Sequence, residues 1–161
     1  GRYSVRSGYH LFKQDPSQDR PSSSAGGDQL HIFWKKFWRV PVAPNILIFV
    51  WRSISNILSL KSELNRRHLN TDNRCVICNS QVESWRHLFM ECEFIVALWR
   101  MSSVPNSVLN APTTTPFLLL DYWFHHFDPV MTAEIFTTLW AIWHARNEFL
   151  HQDIRPAPTK S

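Results

Sequence analysis

All three cysteines of the chain fall in one 18-residue stretch, C-V-I-C-N-S-Q-V-E-S-W-R-H-L-F-M-E-C, which also holds one histidine. The spacing is Cys75-x2-Cys78-x8-His87-x4-Cys92. Structural Zn²⁺ takes four tetrahedral ligands from thiolate sulfur and imidazole nitrogen. The C-x2-C step is a tight turn that aims two thiolates at one ion. The start of a helix can deliver His87 and Cys92, since residues four to five apart there lie close to one face. The plain alternative is three buried free thiols packing as small hydrophobes. A disulfide framework would leave one thiol over. No cysteine stands outside the pattern, so the expected cofactor is one structural Zn²⁺ on Cys75, Cys78, His87 and Cys92. Four protein ligands leave no position open for substrate or activated water, and such a site supports folding rather than chemistry.

Other chemistry-bearing residues fit this picture less sharply. His68 reads as the end of a basic helix, because the tetrahedron is complete without it. His125, His126, His144 and His151 read as partly exposed surface histidines. The stripe Phe33, Trp34, Phe37 and Trp38 could stack bases, but its helical spacing reads as core. Trp34, Trp38, Phe49, Trp51 and Trp99 are expected to share that core. Lys61, Arg66, Arg67, Arg74 and Arg86 cluster around the zinc segment. They are the candidate contacts to RNA or DNA, and equally a solvated rim. No paired-aspartate polymerase motif, carboxylate set for two-metal hydrolysis or phosphate-cradling glycine loop is present. By itself the chain reads as non-enzymatic.

The elements that must position these residues follow from local pattern. The 161 residues are 44% hydrophobic and 14% aromatic, which is enough to bury a core. Residues 1–14 read as an extended piece entering a helix capped by Ser4 or Ser7, and 15–29 as a flexible loop rich in Pro, Gly and Ser. Asp28 is expected to cap an amphipathic helix from Leu30 to Val40. Pro44 opens a core helix from about Asn45 to Leu58, and Ser62 caps a short one from Glu63 to His68. In the zinc segment Asn79-Ser80 makes a turn and Ser84 caps a helix carrying Trp85, His87, Leu88 and Phe89. Helices are expected at Glu93–Met101, Thr115–Phe127 and Val130–His151, the last opened by Asp128 as cap and Pro129. No period-2 run of any length appears. The expected class is mainly α, a small helical domain organised around one structural Cys-Cys-His-Cys zinc site. Its parts are residues 1–29 as N-terminal strand/helix segment and loop, 30–102 as zinc-binding domain, and 103–161 as linker, helical pair and tail.

Charge is uneven: residues 1–70 hold eleven Lys/Arg against four Asp/Glu, and residues 71–161 hold six against nine. The basic half admits an anionic partner, or only solubility. No apolar run suits a bilayer, so no membrane contact is expected. The lack of a visible secretory signal and the reduced thiolates point to nucleus or cytoplasm. The opening at Gly1, without a methionine, reads as a fragment of something longer.

In order along the chain stand Tyr3-Ser4-Val5-Arg6-Ser7-Gly8-Tyr9, the pair Trp34 and Trp38, and Pro44 through Phe49 to Trp51-Arg52. Leu64-Asn65-Arg66-Arg67, Cys75 and Cys78, His87-Leu88-Phe89 to Cys92, Trp99 and Ile142-Trp143-His144-Ala145-Arg146-Asn147 follow. This series resembles the reverse-transcriptase zinc-binding domain of plant non-LTR (LINE-type) retrotransposons over about residues 3–147. Where that family commonly has L-P-T, this chain has Leu58-Ser59-Leu60. The resemblance implies a module beside a polymerase and ahead of an RNase H-like domain, helping to hold RNA template or target DNA. The parent polyprotein would be an RNA-directed DNA polymerase. Three alternatives stay open: a spacer docking the polymerase against the RNase H-like domain, an enzyme fragment with its active site elsewhere in the parent, and a degenerate remnant without activity.

Overall fold

The computed structural model describes residues 25–68, 72–111 and 115–154, with the backbone only at 25–26 and 152–154. In chain order the helices are α1 (Ala25–Phe37), α2 (Pro44–Ile54), α3 (Lys61–Arg66), α4 (Glu93–Met101), α5 (Pro116–His126) and α6 (Pro129–Ile154). A π-helical turn at His87–Glu91 precedes α4, and a 3-10 turn at Asn106–Asn110 follows it. Among the described residues there is no strand, only one antiparallel bridge between Arg74 and Val82. The protein is mainly α. It divides into two compact units, Gly1–Arg39 and Val40–Ser161.

The first unit is described from α1 onward, so the expected first helix and the expected loop up to residue 24 lie outside the described residues, whereas residues 25–29, expected as loop, are helical. α1 starts at Ala25, not at a cap on Asp28. Asp28 sits in its first turn, where a carboxylate complements the positive helix end. The helix stops at Phe37, short of Val40, whose place before Pro41 disfavours helical backbone. Its rings interlock: Phe33–Trp34 at 5.1 Å, Trp34–Phe37 at 5.4 Å and Phe37–Trp38 at 4.8 Å between centroids. Trp38 remains 37% exposed, so it is not the core residue its spacing suggests.

In the second unit α2 is the central element and packs on α5 and α6. Pro44 opens it as expected. It ends at Ile54 rather than Leu58, because Asn56 takes a left-handed conformation (φ 53°) and the Ile57 N–H closes back on the Arg52 carbonyl at 3.0 Å. Ile46, Leu47, Phe49, Val50 and Ile54 are buried, while Ile48 is exposed, so the helix is not covered all round. On α6 the buried residues Thr132, Ile135, Phe136, Leu139, Ile142 and Arg146 repeat at helical spacing and make the facing stripe. Phe49 stacks on Trp143 of α6 at 6.2 Å.

The helix starts follow local chemistry in two cases and not in a third. The Thr115 hydroxyl accepts from Leu118 N–H at 3.4 Å, and Asp128 Oδ1 accepts from Met131 N–H at 2.8 Å, opening α5 and α6. α3 begins at Lys61 behind Leu60, so Ser62 is not its cap. Lys61 N–H donates instead to Glu83 Oε1 at 3.0 Å and Ser62 N–H to the Glu83 carbonyl at 3.3 Å. A side chain 22 residues away does the capping.

Candidate metal centre

The first two candidate ligands sit on a turn closed by its own backbone. Asn79 N–H donates to the Cys75 carbonyl at 2.8 Å, and Cys75 N–H to the Gln81 carbonyl at 2.7 Å. Asn79 supplies the left-handed residue such a reversal needs (φ 55°). The second two come from the helical segment that Ser84 opens, its hydroxyl accepting from His87 N–H at 3.1 Å. An ordinary α-helix would turn Cys92 about 140° away from His87. The π turn reduces that mismatch, with Cys92 N–H bonding the His87 carbonyl at 2.7 Å. Leu88 and Phe89 on the same turn are fully buried, which anchors it in the core.

These two pieces bring one donor atom each from Cys75, Cys78, His87 and Cys92 within 4.8 Å of one another. A tetrahedron with zinc–sulfur bonds of about 2.3 Å and zinc–nitrogen of about 2.0 Å puts sulfur and nitrogen about 3.5 Å apart. His87 Nε2 lies 3.2 Å from Cys78 Sγ, close to that spacing. His87 Nδ1 is buried and has no hydrogen-bond partner among the described residues. The other ring nitrogen, Nε2, faces Cys78 Sγ, which is the side on which a metal bond would form. Three soft sulfurs and one imidazole suit Zn²⁺.

The thiols differ in their readiness to ionise. Burial pushes Cys92 up to about 12 and raises Cys75, the latter against bonds from the Cys78 and Ile77 N–H groups. Burial also opposes ionisation of Cys78. The Ser80 hydroxyl at 3.2 Å, the Ser80 and Gln81 N–H groups and His87 outweigh it and bring that thiol down to about 6.

The other candidates are placed differently. His68 is the left-handed residue ending α3 (φ 62°) and is not among the converging donors. Lys61 and Arg66 open and close α3, with Lys61 Nζ 4.0 Å from Asp72 and Arg66 donating twice to Glu63 Oε2 at 3.0 and 2.8 Å. Arg67 donates to the Asn56 carbonyl at 3.4 Å, Arg86 pairs with Glu91, and Arg74 is exposed on the bridge to Val82. His125, His126, His144 and His151 are exposed.

One residue of this region carried no sequence signal. Glu83, inside the Cys78–His87 spacer, is fully buried. Its Oε2 accepts from Val76 N–H in the cysteine turn at 3.3 Å, and its carboxylate pairs with Arg146 of α6, itself 3% exposed. Only the I-W-x-x-R-N resemblance pointed toward Arg146, and it named no partner.

The fold and site define a helical module built around a Cys3His group that could hold one metal ion. The chain belongs to the family described as zinc-binding in reverse transcriptase, whose model matches residues 3–99. That domain is a zinc-binding accessory and not itself the catalyst. Comparison with curated proteins and with solved structures gave no match. Among the described residues no helix is long and apolar enough to cross a membrane.

Proposed function

We propose that Cys75, Cys78, His87 and Cys92 bind one Zn²⁺ as a structural ion in a non-catalytic module of a retrotransposon reverse-transcriptase polyprotein. The convergence of their four donor atoms carries this reading. The ion would cross-link the cysteine turn to the π turn and supply cohesion that a short, strand-free segment lacks. Metal analysis of the reduced protein should give one zinc per chain. Cys78→Ala should lose it and leave residues 72–92 without protection in hydrogen exchange. A reduced chain with no zinc would sink the proposal.

The module's second task on this reading is to hold RNA template or target DNA through phosphate contacts from Lys61, Arg66, Arg67, Arg74 and Arg86. Exposed ion pairs of the kind Arg66 makes with Glu63 are worth only about 0–1 kcal/mol, so a phosphate can displace the carboxylate. The same pairs also favour a second reading, a spacer docking the polymerase against a neighbouring RNase H-like domain. Salt-dependent binding to RNA and single-stranded DNA separates them. Replacing Arg66 and Arg67 together by Ala should flatten the salt slope by about two units if each meets one phosphate. An unchanged slope favours the spacer.

A further inference from the structure

The buried pair between Glu83 and Arg146 joins two parts of the chain 63 residues apart, one inside the cysteine–histidine line and one on α6, beyond the family match. Both side chains are withdrawn from water, with relative exposures of 0% and 4%. Every polar atom of the carboxylate is used. Oε1 accepts from Lys61 N–H and from Arg146 Nη2, and Oε2 from Val76 N–H and Arg146 Nε. The guanidinium is held in turn by the Ser59 carbonyl at 3.3 Å, by Asn147 Oδ1 at 2.9 Å and by the Trp143 ring at 5.0 Å. The Glu83 backbone adds two bonds, from its N–H to the Asn73 carbonyl at 2.8 Å and from Ser62 N–H to its own carbonyl.

We infer that Glu83 and Arg146 are positioning residues of the metal centre, with Glu83 holding the backbone between Cys75 and Cys78 in its ligating turn and Arg146 fixing Glu83. This rests on the zinc reading above. The contact falls on Val76, the residue after Cys75, so the carboxylate acts on the geometry of the cysteine turn without reaching the ion. Three thiolates around Zn²⁺ make a centre of net charge −1, and a buried carboxylate beside it needs a cation. Arg146 is that cation, and its planar fork also sets the carboxylate's orientation. Partners that orient metal ligands in this way typically change metal affinity 10–100-fold when removed.

The test uses the full chain and two readouts: zinc affinity by competition with a chromophoric chelator, and the visible spectrum of the Co²⁺-loaded protein. Arg146→Met should bind zinc 10–100-fold more weakly and shift the cobalt bands. Arg146→Lys, which keeps the charge without the fork, should fall between Met and the parent. The double variant Glu83→Gln/Arg146→Met can keep its one oxygen on Val76 N–H, gives up the bond from Lys61 N–H and leaves no unpaired charge, and should recover part of the lost affinity. If Arg146→Met fails to fold, Arg146→Lys and the double variant carry the same comparison. Variants that melt lower but keep the parent's zinc affinity and cobalt spectrum would overturn the inference, leaving a pair that only holds the fold. A parent chain that binds neither ion would instead remove the zinc reading itself.

Discussion

Within one cluster the three thiols start from different protonation states, and that has a measurable consequence. Zinc takes each of them as thiolate. Near neutral pH Cys78, at about 6, is already largely ionised, while Cys92, at about 12, and the raised Cys75 keep their protons. Loading a metal-free chain that keeps this turn folded should therefore expel about two thiol protons per ion near neutral pH, and loading one whose residues 72–92 have unfolded about three. The sign follows: acid protonates the ligands and weakens binding, and below about pH 6 the loss steepens as Cys78 joins. Calorimetry in buffers of different ionisation enthalpy counts the protons. A count of three would mean that the metal-free chain has lost the hydrogen bonds that lower Cys78.

The short elements around the site owe their starts to different sources, and substitution can tell these apart. Ser84 opens the segment bearing His87, and Asp128 opens α6, each through its own side chain. Ser84→Ala and Asp128→Ala should each cost about 1 kcal/mol in urea unfolding of the zinc-loaded protein. Ser62→Ala should stay within about 0.5 kcal/mol of the parent, because the first turn of α3 is capped by Glu83. A Ser62 effect as large as that of Ser84 would contradict this capping. The π turn bears on the site directly, since its wider hydrogen bond brings Cys92 nearer to the His87 face than an α-helix would.

At the scale of the molecule, the packed core of the second unit extends beyond residue 99, where the family match ends. Leu139 and Ile142 are buried on α6, and Trp143 of the same helix stacks on Phe49 of α2. Leu139→Ala or Ile142→Ala should each cost about 2–5 kcal/mol, a large part of the roughly 5–15 kcal/mol typical of a domain. A chain cut after Met101 loses all of α5 and α6, and should show no cooperative thermal transition even with zinc present. Circular dichroism melts of the two lengths check this. A sharp transition in the short form would make residues 40–101 an independent domain.

Sequence alone determined what depends on near neighbours. The four converging donors share one 18-residue stretch, and Pro44 and Asp128 with Pro129 act on the backbone beside them, so spacing and residue type sufficed. It misjudged Trp38, because helical spacing tells which residues share a face and not whether another surface covers that face. It missed the π turn, since an i→i+5 bond has no residue signature comparable to a cap. It also assigned to Ser62 a role that Glu83 fills, and left Glu83 as one more charge in a spacer. Only the packing of α2 on α6 and the folding of the cysteine turn bring Glu83 to Arg146. A charge announces its sign in the sequence, but its partner is chosen by which elements share the core.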